Sequence, residues 1–230
     1  MRPDLPQPVE RATERIFSRL SGARRRRIFH PRGIAYRVSI EVGDGVPGTR
    51  ALPPGARLSA VARFSRGLGL PRGVPDFLGL ALGLETDQDL LLATSAMPPG
   101  LRFLPLPATS FFGRLFSSLL PLAAGGRLLL VGARVHGADH ASGGDTWDEL
   151  GRAAGRGPIR LDLLAARPRG AWRPIARAET CEQLTPEEAQ RVVFDAWRCG
   201  GGLVPWGAVN RLRAPAYRGS RRGRAAARGL

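Results

Sequence analysis

Apolar side chains recur at every second position in a series of short segments, and this alternation limits the fold more than any other feature of the chain. A period of two is that of β-strands, in which successive side chains point to opposite faces of a sheet. The alternating segments are 34–42, 57–65, 78–84, 90–94, 127–135, 159–165 and 172–178, with a weaker one at 192–194. About eight such strands separated by turn residues predict an antiparallel β-barrel with flanking helices, an α+β fold.

Helical spacing of apolar residues is concentrated toward the two ends of the chain. The predicted helices are 9–20, part of 103–120 after Ser110, 208–212 and 216–228. The polar stretch 136–148 is predicted to be a loop. A chain of 230 residues is the size of one large domain.

We therefore predict one domain, 1–230, with three consecutive parts. Residues 1–27 form a helical arm, 28–194 form the barrel, and 195–230 form a C-terminal helical segment.

The charge of the chain is strongly positive. All 35 basic residues are arginine, and the formal net charge is +16. Such a charge attracts polyanions and defines one class of function, a basic module that binds nucleic acid or an anionic membrane. Nucleic acid is disfavoured because the aromatic residues are not interleaved with the arginines as stacking platforms require. A peripheral contact with an anionic membrane fits the charge equally well and is kept as an expectation.

The cysteines and the apolar segments indicate a reduced, cytoplasmic protein. Cys181 and Cys199 lack the spacing of metal ligands and are interpreted as free thiols. The most apolar region, 115–131, is interrupted by Pro121 and Arg127 and is not predicted to span a membrane.

Four short motifs follow one another in a fixed order along the chain. They are RIFHPRG at 27–33, ARFS at 62–65, GLAL at 79–82 with DL at 89–90, and FD at 194–195 with RAPAY at 213–217 and then Arg224. Each resembles a motif of the catalase family, and the order is the same as in that family. The resemblance brackets almost the whole chain and implies a catalase-like barrel.

The resemblance also implies a cofactor, heme b, and a role for each matching residue. Tyr217 would be the proximal ligand of the iron, and His30 would lie above the distal face. Ser65 would orient the histidine, and Thr94 stands near the expected distal asparagine. The remaining cofactor-binding residues implied by the motifs are Arg27, Arg63, Arg213 and Arg224.

The chemistry of these residue types suits the implied roles. A free phenol has a pKa near 10, so ligation as phenolate at neutral pH needs the iron and a nearby cation. Arg213 precedes Tyr217 by four residues, which places the two on one face of a helix, although Pro215 disfavours helical backbone just before it. A neutral histidine can carry a proton between the two oxygens of a peroxide. Arginines are bidentate partners for the heme propionates.

Two departures from the family direct the prediction of the substrate. The chain is far shorter than ordinary catalases, and Thr94 and Ser95 replace the distal asparagine. A hydroxyl donates a hydrogen bond over a shorter reach than an amide does. We therefore predict a heme-dependent oxidoreductase that uses hydrogen peroxide weakly, as a peroxidase, or uses organic or fatty-acid hydroperoxides. The apolar segment 103–120 is either core or the lining of a lipid-sized pocket.

Three alternatives stay open at this stage. The first is a heme-binding protein without enzymatic activity, or a barrel that has kept the shape and lost the cofactor. The second is the basic polyanion-binding module. The third is a metal site in the glycine-rich loop that contains His136, Asp139, His140 and Asp145, which lack a convincing ligand spacing.

Overall fold

A computed structural model describes residues 33–71, 73–99, 101–137 and 146–207. The predicted helices at 9–20, 208–212 and 216–228 lie outside these residues. All structural statements below refer to the described part of the chain.

The described residues form eleven strands and two helices. The strands are β1 (Gly33–Val42), β2 (Arg57–Arg66), β3 (Asp76–Leu84), β4 (Gln88–Ser95), β5 (Pro107–Ala108), β6 (Leu115–Ser117), β7 (Leu122–Ala124), β8 (Arg127–His136), β9 (Arg160–Ala166), β10 (Arg173–Gln183) and β11 (Val204–Pro205). The helices are α1 (Thr146–Arg156) and α2 (Pro186–Arg191). Neither described helix is long and apolar enough to cross a bilayer.

Eight of the strands close into a ring. Their order is β8-β6-β4-β3-β2-β1-β10-β9, and β8 pairs with β9 to complete the cylinder. Every pair in the ring is antiparallel. The predicted antiparallel barrel of about eight strands with flanking helices is thus confirmed. The barrel strands run from Gly33 to Gln183, within the range 28–194 expected from the sequence.

The interior of the barrel is filled by the alternating apolar positions that the sequence indicated. On β1, Tyr36, Val38, Ile40 and Val42 are all buried, which confirms the predicted inward face. This core continues through three phenylalanines. The ring of Phe111, which follows β5, contacts the rings of Phe64 on β2 and Phe116 on β6. The interior of the barrel is thus occupied by packed apolar side chains.

The helix predicted after Ser110 is wrong. After Ser110 the chain makes a turn, in which Gly113 has a φ of 66°, and then forms β6. β6 occupies the gap between β4 and β8 and hydrogen-bonds to both. The demand for a pairing strand at this place in the ring overrides the local helical pattern of the leucines and phenylalanines.

Two further predictions of local structure need correction. The weak strand at 192–194 is absent, and that segment runs as irregular chain with the Phe194 ring packed over Gly83. The loop predicted to extend to residue 148 ends earlier, because α1 begins at Thr146. The Thr146 hydroxyl donates to the Thr109 carbonyl over 2.8 Å, and Leu150 packs into the core.

Candidate functional site

Two polar side chains of β2 lie on the outer face of the barrel and are nevertheless buried. Phe64 is fully buried in the core, so its neighbours Arg63 and Ser65 project outward. Arg63 is 7% exposed and Ser65 is 4% exposed. The barrel wall is therefore covered at this point on both sides, which singles it out from an ordinary solvated sheet face.

The wall beside Ser65 carries only short side chains, in a row that crosses six strands. Residues directly opposed in antiparallel strands point to the same face. The opposed residues are Gly33 on β1, Ser65 on β2, Gly79 on β3, Ala93 on β4, Ser117 on β6 and Gly132 on β8. This small-residue row makes the outer surface flat. At its far end the Trp172 ring lies over Gly132, 2.9 Å from where a Cβ atom would be.

The guanidinium of Arg63 lies against the beginning of β1. A Cβ atom on Gly33 would be 2.6 Å from Arg63 Cζ and 2.6 Å from the Phe64 carbonyl oxygen, so no side chain fits there. Burial lowers the pKa of Arg63 to about 10. A carboxylate brought next to this group would favour its charged form and would be held by paired hydrogen bonds.

Ser65 is the polar member of the row nearest to Arg63. Its hydroxyl donates to the Gly79 carbonyl oxygen over 3.3 Å, across the β2–β3 ladder. Its backbone is opposed to Gly33, which follows His30 by three positions in the chain. A hydroxyl that donates in this way keeps lone pairs with which it can accept a hydrogen bond.

Thr94, the third predicted catalytic residue, is not on the same face as Ser65. Ser65 is opposed to Gly79, and Gly79 to Ala93, so Thr94 belongs to the other alternation. Its hydroxyl donates to the Leu106 carbonyl over 2.6 Å and accepts from the Leu78 amide over 3.2 Å. The single hydroxyl proton is used to hold the chain before β5 on the barrel.

The other predicted site residues lie outside the described residues. They are His30, Arg27, Arg213, Tyr217 and Arg224, and their roles stay predictions. In the glycine-rich loop only His136 is described, and its Nε2 is 2.8 Å from the Asp162 carboxylate. The described part of the chain contains no group of three or more metal-ligating side chains.

Sequence reasoning missed a buried ion pair at the end of β2. Arg66 Nε lies 3.5 Å from the Asp76 carboxylate, and both side chains are almost fully buried. Asp76 also accepts hydrogen bonds from the amides of Leu68, Gly69, Leu70 and Phe77. Burial acts to raise the pKa of Asp76, but these amides outweigh it and lower the pKa. The sequence indicated this ion pair only by the position of Asp76, an acidic residue at the beginning of the apolar strand β3.

A second buried arginine was also missed. Arg102 is 1% exposed, and its guanidinium lies 5.0 Å from the centre of the Trp172 ring. It donates to the carbonyl oxygens of Arg167 (3.3 Å) and Gly170 (2.8 Å). Arg102 thereby fixes the loop between β4 and β5 to the turn between β9 and β10. Nothing in the local sequence distinguishes it from the many solvated arginines.

Comparison with solved structures finds catalases. Catalase A from Saccharomyces cerevisiae superposes with a TM-score of 0.57 and 13% identity, over 86% of this chain and 60% of that chain. A fungal catalase gives a TM-score of 0.56 and 12% identity, over 84% of this chain and 57% of that chain. No protein-family model and no curated protein sequence matches. The fold is therefore catalase-like, and the chain spans about three-fifths of the length of these catalases.

Proposed function

We propose that this chain binds heme b against the outer wall of its barrel and acts on hydrogen peroxide or on an organic or fatty-acid hydroperoxide. The observation that carries the proposal is the pair Arg63 and Ser65, two residues apart on one strand and buried on the outer face beside Gly33. The catalase-like fold supports the same conclusion. Heme is the cofactor of catalases, and a buried arginine beside a serine suits a heme propionate and a distal histidine.

The residues present fit a heme. The Arg63 guanidinium covers the row at Gly33 and the Trp172 ring covers it at Gly132. Between these ends the row presents only glycine, alanine and serine side chains, and we propose that the planar macrocycle lies against this stretch. Arg63 supplies a buried cation at one end of the row for a propionate. A propionate there would offset the burial that now lowers the pKa of this guanidinium.

The distal side of the proposed site is governed by His30. Three residues of chain span at most about 11 Å, so the covalent link to Gly33 limits how far His30 can lie from Ser65. In the proposal the Ser65 hydroxyl hydrogen-bonds the imidazole and fixes its tautomer. The neutral imidazole then takes the proton from one oxygen of the hydroperoxide and returns it to the other.

The proximal side is assigned to Tyr217. Its phenolate oxygen would ligate the iron, and the Arg213 guanidinium would stabilise the negative charge on that oxygen. Arg27 and Arg224 would join Arg63 as propionate partners. Bound heme would supply the redox chemistry at the O–O bond, and the chain's own groups supply binding, orientation and proton movement.

The contacts of Thr94 bear on the substrate. Its side chain lies on the opposite face of the wall from Ser65, and its hydroxyl proton is donated to the Leu106 carbonyl, so it does not reach a peroxide held against the outer face. This favours slow peroxidase or hydroperoxide chemistry over rapid dismutation of hydrogen peroxide. It also gives specific support to the second candidate, a heme-binding protein that does not turn peroxide over.

The absorption spectrum of the full chain, produced with a supply of heme precursor, tests the cofactor. We expect a Soret band with the signature of high-spin ferric tyrosinate. The chain has two tyrosines, Tyr36 and Tyr217, so Tyr217→Phe has a matched control. Tyr217→Phe should abolish the tyrosinate signature, whereas Tyr36→Phe, in the barrel core, should retain it. Failure of the purified protein to take up heme, or an unchanged spectrum in Tyr217→Phe, would contradict the assignment.

Stopped-flow mixing with peroxide tests the enzymatic part separately. His30→Ala should retain heme and lose peroxide reactivity, by about a hundredfold or more if the histidine is the proton carrier. His136→Ala removes a histidine that is paired with Asp162 and should react like the unmodified protein. Heme binding without turnover in the unmodified protein would favour the non-enzymatic candidate.

A further inference from the structure

Two loops at one end of the barrel expose large apolar side chains next to each other. The first, 67–75, connects β2 to β3, and the second, 96–106, connects β4 to β5. Their exposed apolar residues are Leu68, Val74, Met97, Leu101, Leu104 and Leu106, each between 41% and 55% exposed. We name these two segments the apolar loop pair. Single exposed leucines are ordinary, but a group of this kind marks an interaction surface.

The two loops are neighbours because both are tied to the beginning of β3. Asp76 and Phe77 pair with Ala108 and Pro107 of β5, where the second loop ends. The Phe77 carbonyl accepts from the amide of Gly67, where the first loop begins, over 2.6 Å. The beginning of the first loop and the end of the second therefore lie side by side at this end of the barrel.

Buried polar groups hold both loops in place. The Asp76 carboxylate accepts three amides of the first loop. Arg102 ties the second loop to the turn after β9, with its guanidinium stacked on Trp172. Residues 68–70 and Arg102 are thus held by buried hydrogen bonds, and docking through the apolar side chains beside them requires little ordering at these positions.

The exposed charged side chains beside the apolar loop pair are mostly arginines. Neither loop sequence contains an acidic residue. Arg114 is exposed next to β6, and Arg167 and Arg169 are exposed on the turn that Arg102 contacts. Arg134 Nη2 lies 3.4 Å from the Met97 sulfur. Two carboxylates lie close by: Asp76 is buried and paired with Arg66, and Asp162 is opposed to Arg134 and lies 2.8 Å from His136 Nε2.

We propose that the apolar loop pair docks this protein onto the surface of an anionic lipid bilayer. Leucines that enter the interface between headgroups and acyl chains, with arginines at their rim facing anionic headgroups, are the two components of peripheral membrane binding. A symmetric dimer through this surface is disfavoured, because it would bring the arginines of the two copies together without acidic partners. Docking of this kind does not depend on heme and stands apart from the proposed function.

Vesicle sedimentation of the full chain tests the docking. Vesicles of equal parts phosphatidylcholine and phosphatidylserine are compared with vesicles of phosphatidylcholine alone. We expect binding to the anionic vesicles, and a loss of about tenfold or more in the partition coefficient for the double variant Leu101→Ser and Leu104→Ser. Both side chains are about half exposed, so the fold should tolerate the changes, and each single variant should show an intermediate loss.

The matched control replaces two exposed valines at the other end of β4. Val193 and Val204 are 44% and 42% exposed, and the chain between them contacts Gln88 and Asp89, where β4 begins. The double variant Val193→Ser and Val204→Ser should bind anionic vesicles as the unmodified chain does. Absence of binding to anionic vesicles, or equal binding by the two double variants, overturns the proposal. Self-association that the leucine changes abolish overturns it in favour of a second copy.

Discussion

Arg63 and Arg66 lie three residues apart on β2, and both are buried, but the surroundings that the fold provides for them differ. Arg66 lies beside the Asp76 carboxylate and donates to the carbonyl oxygens of Pro71 and Val74. Arg63 lies on the outer face against the backbone of Gly33, and burial lowers its pKa to about 10. The fold thus places Arg66 in a buried ion pair at the end of β2 and places Arg63 on the outer wall of the barrel.

The difference separates a structural arginine from a candidate ligand-binding one. A buried ion pair that also organises backbone amides fixes a loop, and its loss damages the fold. A buried guanidinium on the outer wall, beside a row of glycine, serine and alanine, is the side chain that we propose to contact a heme propionate. Substitutions near Arg66 should therefore mainly lower the free energy of unfolding, and substitutions near Arg63 should mainly lower heme affinity.

The largest effect is expected from Asp76→Ala. This change leaves Arg66 buried without its carboxylate and releases four backbone amides, and we expect a loss of about 3–5 kcal/mol in the free energy of unfolding. Urea unfolding followed by circular dichroism measures it. Asp44→Ala, at an exposed aspartate, is the control and should change stability by less than about 0.5 kcal/mol. A loss below about 1 kcal/mol for Asp76→Ala would show that the ion pair does not anchor the loop.

Gly33→Ala should affect both regions of the comparison. The new Cβ atom would meet the Phe64 carbonyl and the Arg63 guanidinium at 2.6 Å, so the strand or the arginine must move. We expect a cost of about 1–3 kcal/mol in stability together with weaker heme binding. Gly151→Ala is the matched control, since Gly151 lies in α1 with no atom near its Cβ position, and it should raise the melting temperature. Equal stability of the two variants would disprove the close packing at Gly33.

Arg63→Gln should weaken binding with little effect on the fold. Removing the charge removes its desolvation cost, which offsets part of the loss of the guanidinium's contacts, so we expect the free energy of unfolding to fall by less than it does in Arg66→Gln. Heme affinity, measured by titration of the apoprotein, should fall about tenfold because a charge-assisted contact to a propionate is lost. The comparison variant Arg66→Gln should do the reverse, lowering stability while the affinity of the folded protein stays close to normal. Unchanged heme affinity in Arg63→Gln would remove Arg63 from the proposed site.

The smallest effect is a change in the pH dependence of stability. The pKa of Asp76 is lowered from its ordinary value of 3.8 in the folded protein. Its ionised form therefore stabilises the fold above that value, and the stabilisation is lost as the pH falls through the folded pKa. We expect the unfolding free energies of the unmodified protein and of Asp76→Asn to converge as the pH is lowered below about 4. Parallel curves over that range would contradict the lowered pKa.

The barrel could be predicted from sequence because its inner positions follow one rule. Tyr36, Val38 and Ile40 on β1, and Phe64 on β2, alternate with polar or small residues as a half-buried strand requires. The short strand β6 could not be predicted in this way. It forms because β4 and β8 both have edges that it can pair with in the ring. These pairing partners are distant in sequence, so the pattern of residues 115–117 alone does not indicate the strand.

The candidate site was predictable only in part, and for a physical reason. Arg63 and Ser65 fall on the polar side of the alternation, where solvent exposure is the ordinary outcome. Their burial depends on what covers the outer face of the barrel, which the strand itself does not encode. Resemblance to a family motif, and not periodicity, drew attention to them. Asp76 and Arg102 had no comparable motif, and their contacts became visible only in the folded chain.

The closed ring has a consequence for the order in which the molecule is assembled. β1 and β2 are consecutive strands, so the wall that presents Arg63 and Ser65 can form from a local hairpin. The cylinder is sealed only when β1 also pairs with β10, much later in the sequence. Tyr217 follows every barrel strand and leaves the ribosome after all of them. The β1–β2 part of the proposed heme site is thus synthesised early. Heme ligation by Tyr217, as proposed, requires the rest of the chain.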